Sequence, residues 1–183
     1  MTKRESILNA ALDLLVKKGI HNTPMSEIAR AAGTGMGTIY NYFPNKEELI
    51  NEIYVNIRMQ EKDLFLEVDT THPIKTRFED YLTVLIEFFL QQPSYFNFLL
   101  QLEASPIITD ENRKKGRESV EIVADLLKSG QESRVVKNME IGEILTFIGG
   151  GIYSYLRQHM DAPEKERTSL SNHIQMVWDG IKE

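Results

Sequence analysis

"AAGTGMGTIYNYFPNKEEL", residues 31–49, carries three glycines, three aromatic residues and a lysine in a chain that is acidic overall. Spaced glycines either wrap a phosphate, as in nucleotide-binding enzymes, or let two helices meet at a sharp angle. A dinucleotide fingerprint needs a strand ahead of its glycines and the spacing Gly-x-Gly-x-x-Gly. Here the spacing is Gly-x-Gly-x-Gly, and the residues ahead of it, Ser26 to Ala32, read as a helix. The Gly-Lys-Ser/Thr of a phosphate loop is missing as well. The nucleotide reading fails on both counts.

What remains is a helix, a sharp glycine-containing turn and a second short helix, the helix-turn-helix arrangement. The first helix runs through Met25, Ile28, Ala29 and Ala32 and stops at Gly33, a residue free to take the positive φ of the turn. The second, Met36 to Tyr42, is expected to lie in a DNA major groove with its N-terminal residues at base edges. Ile39 and Phe43 lie four apart and face the core. Thr38, Tyr40, Asn41 and Tyr42 are left to bond phosphates or bases. Gly35 and Gly37 keep the start of this helix thin. Lys46 falls in the first turn of the next helix, where free amides and the positive dipole end favour a phosphate oxygen.

Working outward, strand signals are scarce and helix signals recur throughout. Thr2 and Glu5 form a capping box ahead of Ile7, Leu8, Ala11, Leu12, Leu14 and Leu15, and Gly19 ends that helix. Thr23-Pro24 reads as an N-cap followed by proline at the first helical position. Asn45 and Glu48 cap a long helix through Leu49, Ile53 and Ile57, from Lys46 to about Gln60. After a soft stretch at residues 69–73, Phe78, Leu82, Leu85 and Phe89 share a face. Pro93 marks a break before a short aromatic helix, Tyr95 to Glu103. Asp110 to Ser129 reads as one amphipathic helix, Ile141 to Tyr155 as an apolar one, and Leu170 to Ile181 as the last. The expected fold is all-α with about nine helices.

The chain has 183 residues, 42% hydrophobic and 26% charged, an ordinary globular balance. It has no cysteine, so disulfides and thiolate metal sites are excluded. His21, His72, His159 and His173 show no ligand spacing, so neither metal nor cofactor is expected. No apolar run reaches the ~18 residues of a membrane span, and the first residues lack a signal peptide's apolar core. A soluble cytoplasmic protein with no membrane partner is expected. The net charge of -6 hides an asymmetry, because residues up to Ile50 hold six Lys/Arg against five Asp/Glu. An acidic body with a near-neutral head suits a DNA grip built on a few placed cations.

Thr23 to Leu49, "TPMSEIARAAGTGMGTIYNYFPNKEEL", resembles the DNA-binding signature of TetR/AcrR-type transcriptional regulators. The matching points are Thr23, Ile28-Ala29, Ala32-Gly33, Gly37-Thr38-Ile39-Tyr40, Tyr42-Phe43 and Lys46-Glu47-Glu48-Leu49. The resemblance covers the N-terminal quarter in detail; the rest agrees in length and helix order. It implies a three-helix DNA-binding domain, residues 1–47, joined to a larger helical effector and dimerisation domain, residues 48–183. It further implies a homodimeric repressor on palindromic double-stranded operator DNA, released by a small apolar or aromatic effector. By position, Thr23, Thr34, Tyr40, Tyr42 and Lys46 contact phosphate, and Met36, Gly37, Thr38 and Asn41 face the groove. Met36 stands where relatives often place a polar or cationic residue, so it offers apolar contact to a thymine methyl.

Beyond residue 48 the readings are coarser. Tyr81, Phe88, Phe89, Phe96 and Phe147 are candidates for the lining of an apolar pocket, although a helical stripe is more often plain core. Gly149-Gly150-Gly151 interrupts an apolar helix at about 1 kcal/mol per glycine relative to alanine, which points to close helix contact. Ile148, Gly150, Ile152, Ile174, Val177 and Trp178 are therefore the candidate dimer interface. A regulator without an effector is the main alternative. A helical enzyme is the weaker one, for the chain has neither a paired acid/base motif nor a nucleophile elbow.

Overall fold

The computed structural model describes residues 2–102, 105–163 and 167–183. Among them are ten helices and no strand: α1 Lys3–Lys18, α2 Met25–Ala31, α3 Met36–Tyr42, α4 Lys46–Leu66, α5 Ile74–Gln91, α6 Pro93–Leu102, α7 Asp110–Gly116, α8 Glu118–Glu132, α9 Ile141–His159 and α10 Leu170–Ile181. The all-α expectation holds.

The N-terminal caps form as the sequence indicates. Thr2 Oγ1 accepts from Glu5 N at 3.2 Å, and Glu5 Oε2 accepts from Thr2 N at 2.7 Å, satisfying two amides that α1 leaves free. Gly19, at φ 88°, closes the other end by donating its N–H to Leu15 O. Asn45 Oδ1 accepts from Glu48 N at 2.8 Å and opens α4. α4 runs about a turn and a half beyond the expected Gln60. α6 begins on Pro93, which suits a first helical position because proline has no N–H to leave unpaired. The expected end of that helix, Glu103, lies outside the described residues.

One expected helix is two. Asp110–Ser129 breaks at Arg117, giving α7 and α8 and raising the count from nine to ten. The cause is Gly116, drawn so close to Tyr54 of α4 that an added Cβ would stand 2.3 Å from the phenol oxygen. A glycine held against a ring by its backbone is a poor place to continue a helix. Thr23 differs too. It does not cap α2, whose N-cap is Pro24 with no side-chain bond.

The chain forms two compact units, Met1–Met59 with Gln92–Gly116, and Gln60–Gln91 with Arg117–Glu183. In the first, α2 packs on α1 and α3, and α6 packs on α1. Ile7, Leu15, Ile28, Ile39, Phe43, Leu49 and Ile50 are buried there. In the second, α5 packs against α8, α9 and α10, with Phe78 on Trp178 at 5.3 Å between ring centroids. Gly151 is required by this packing: an added Cβ would meet Val177 Cγ2 at 2.9 Å, where α9 meets α10. Tyr155 donates its hydroxyl to Thr168 O, and His159 stacks on Tyr155 at 4.4 Å. Burial holds the His159 imidazole below its ordinary pKa, aided by the Arg167 guanidinium.

Candidate nucleic-acid interface

The turn between α2 and α3 follows from one residue. Gly33 sits at φ 61°, in the left-handed region, and that bend lets Thr34 N reach back to Ala29 O at 2.9 Å. α3 therefore starts at once, from Gly35 as N-cap, with Ile39 N donating to Gly35 O. Its inner side is fixed by Ile39 and Phe43, both buried. Phe43 also lies under the Arg4 guanidinium, 5.3 Å from the ring centroid, and Arg4 is paired with Glu52 of α4.

The other side of α3 is bare. Gly35, Met36, Gly37, Thr38, Tyr40, Asn41 and Tyr42 are all exposed, and Thr34 is half-buried. Met36, Tyr40 and Tyr42 are more than 40% exposed, unusual for side chains of that size in a seven-residue helix. An added Cβ at Gly35 or Gly37 would meet nothing within 4 Å, so packing inside the chain demands glycine at neither position. The surface offers hydroxyls, an amide, bare backbone and one thioether, a set suited to bases and phosphates.

Thr23 and Lys46 are placed differently from the rest. Thr23 is fully buried; its hydroxyl donates to Gly19 O at 2.9 Å and to Leu14 O at 3.3 Å. Lys46 Nζ donates to Ile20 O at 2.7 Å and to Thr23 O at 3.2 Å. Other cations of the head are also engaged. Lys18 pairs with Glu27 and holds that carboxyl below its usual pKa range. Arg30, largely exposed, lies 3.9 Å from the same carboxylate.

Asn51 went unnoticed in the sequence. It is 5% exposed on α4, and every polar position of its amide is used. Nδ2 donates to Glu47 O and Ile107 O, both at 2.8 Å. Oδ1 accepts from Thr109 N at 3.1 Å and Asn112 Nδ2 at 3.0 Å. This fastens the start of α7 to α4 beside a cleft of about 530 Å³ that Tyr42 and Phe43 also line. The signal was a lone amide among Leu49, Ile50, Ile53 and Tyr54.

The candidates of the C-terminal part are spread out. Tyr81 and Phe89 of α5 are buried, Phe88 is half-buried and stacks on Phe89, and Tyr81 meets Phe65 edge-on. Phe96 is buried in the other unit. Phe147 is no part of a lining: it is 53% exposed on α9, with its ring over Gly180 of α10. Of the candidate interface, Ile148, Ile174, Val177 and Trp178 are buried in the chain's own core and Ile152 is half-buried. Gly150 alone is exposed, with nothing within 4 Å of an added Cβ, and Gly149 is like it. Among the described residues, no three His, Asp or Glu stand together to hold a metal, and no helix is long and apolar enough to cross a membrane.

Residues 7–53 match the family described as bacterial regulatory proteins, tetR family. The chain is 38% identical over 86 residues to YvdT of Bacillus subtilis, an uncharacterised HTH-type transcriptional regulator, covering 45% of this chain and 40% of that protein. An HTH-type transcriptional regulator of Haemophilus influenzae is 33% identical over 110 residues, 58% of this chain and 57% of the other. The chain thus spans about half the length of these curated relatives, or less. A crystal structure from Shewanella sp. PV-4, described as a tetR family transcription regulator, superposes with TM-score 0.87 at 23% identity over 100% of both chains. At that identity the likeness establishes the fold. The proteins matched are transcriptional regulators, not enzymes.

Proposed function

We propose that this chain, whose residues 7–53 match the tetR family of bacterial regulatory proteins, represses transcription as a homodimer on a palindromic operator. Residues 1–47 read the DNA, and a small apolar or aromatic effector taken up by residues 48–183 releases it. The observation that carries this reading is the outward face of α3, which buries Ile39 and leaves the six positions from Met36 to Tyr42 around it to a partner. Met36, Gly37, Thr38 and Asn41 face the groove, while Thr34, Tyr40 and Tyr42 bond phosphate. Thr23 adds no side chain to the contact, since its hydroxyl is taken up by α1. With most of the head's cations paired to other groups of the chain, affinity leans on neutral donors and on shape.

Two copies meet through the outer face of α9 and α10, where Phe147, Tyr153 and Met176 are exposed beside Gly149 and Gly150. The effector borders the aromatic residues of α5, Tyr81, Phe88 and Phe89. α4 joins the two units as one unbroken helix without Gly or Pro, so a shift at its C-terminal half reaches Lys46. A coupling of about 1–3 kcal/mol between effector and DNA is typical of such a link.

Selection of bound duplexes from a random pool by the full-length protein tests the reading. An inverted repeat is expected, with half-site centres about 34–36 Å or a multiple apart. Enrichment of a single unrepeated site, or of none, contradicts it.

A further inference from the structure

We propose that Lys46 is a positioning residue whose ammonium group clasps the helix-turn-helix into a closed ring. The two helices occupy the chain between Thr23 and Lys46, and Lys46 Nζ donates to Thr23 O at 3.2 Å. The residue that follows the motif thereby holds the residue that precedes it. A second bond, to Ile20 O at 2.7 Å, extends the hold to the α1–α2 turn.

The ammonium lies where carbonyls need a partner. The last carbonyls of a helix have no intrahelical donor and carry the negative end of its dipole. Around the end of α1 several are answered from elsewhere. Thr23 Oγ1 donates to Gly19 O, Asn22 Nδ2 to Lys18 O, and Gln101 Nε2 to Val16 O. Lys46 answers two further carbonyls of this turn, Ile20 O and Thr23 O. α2 supplies no cap of its own: Pro24 has no N–H and the helix has no side-chain cap. Its start is set by Thr23, with the hydroxyl fastened to α1 and the carbonyl to the first residue of α4.

Without the ammonium, α2 and α3 stay joined to α4 through the Phe43-Pro44-Asn45 turn but lose the tie at their other end. α3 then pivots, and the exposed side chains of Thr38 and Asn41 leave the depth at which base edges are read. Two of the three N–H groups of Lys46 point inward. Its contribution to DNA binding therefore runs through the angle of α3, in addition to the phosphate attraction that the family resemblance implies.

The test uses the full-length protein, the duplex it selects and a scrambled duplex of equal length, well below the melting temperature. Lys46→Met keeps the length of the side chain and removes the donors. We expect roughly tenfold weaker binding to the selected duplex, the value of a lost charged hydrogen bond. The loss on the scrambled duplex is smaller than on the selected one, and Lys46→Arg restores affinity by donating to the same carbonyls. Amide hydrogen exchange in α2 and α3, without DNA, rises in the methionine variant and returns in the arginine one. A salt slope smaller by about one, with equal losses on both duplexes, overturns the proposal in favour of a phosphate contact. Unchanged exchange in α2 and α3 overturns it whatever the DNA result, as does a lowered melting temperature with parental DNA affinity. A parent that enriches no duplex contradicts the DNA-reading assignment, while the exchange arm still decides the clasp.

Discussion

Placing glutamate at Gly150 and at Met176 together lowers operator affinity by about 10²–10⁴-fold, the loss when two linked half-site contacts become one. The three consecutive glycines of α9 differ in their surroundings. Gly151 is used inside the chain, where an added Cβ would meet Val177 Cγ2. Gly149 and Gly150 face outward with nothing near them, so the chain's own packing does not explain the ~1 kcal/mol that each costs a helix. A second copy approaching closely, as in the proposed dimer, would explain it. Phe147, Tyr153 and Met176, exposed on the same two helices, supply the apolar area. The substitutions also separate association from folding. An added Cβ at Gly150 meets no atom of its own chain within 4 Å, and Met176 is 64% exposed, so the single chain is expected to keep its fold. Sizing should show half the parental mass with an undiminished melting temperature. A variant that remains dimeric moves the interface elsewhere. A charge at Val177 would teach nothing, because that residue is buried in the monomer and the chain would unfold.

Asn51→Ala costs about 1–3 kcal/mol of stability, because it leaves several part-buried polar groups without partners. Ile107 O and Thr109 N lose the amide that satisfies them, and Asn112 loses its acceptor. Asn51→Asp should be as damaging, since a carboxylate cannot donate to Glu47 O and Ile107 O. Denaturant unfolding measures both, and a loss below about 1 kcal/mol, the value of one ordinary net hydrogen bond, would show that the segment beyond Ile107 is held by other contacts.

These two sites show where sequence reading succeeds and where it stops. Local rules were sufficient for the reading head: a capping box at Thr2, a left-handed glycine at Gly33 and a four-residue spacing between Ile39 and Phe43 give α1, the turn and α3. Each depends on residues a few positions apart. Thr23 misleads because its hydroxyl finds a better acceptor at the end of α1 than at the start of α2, a choice made by tertiary packing. Gly116 likewise breaks a helix that its own segment would continue, because Tyr54 lies across it. The dimer candidates meet a third limit. Apolar periodicity reports that Ile148, Ile174, Val177 and Trp178 are buried, but not whether their own chain or another buries them. The outer face, made of glycines, one methionine and two aromatics, has no periodic signature. Asn51 and Lys46 act across long stretches of sequence, so nothing local marks their partners.

The account depends most on the claim that the exposed face of α3 reads bases. Repeating the duplex selection with Thr38→Ala and Asn41→Ala measures this directly. Each replacement should change which base is preferred at one position of each half-site, with a discrimination of about 1–3 kcal/mol lost there and the other positions kept. A uniform loss of affinity across all duplexes, with the parental preference intact at every position, would contradict it.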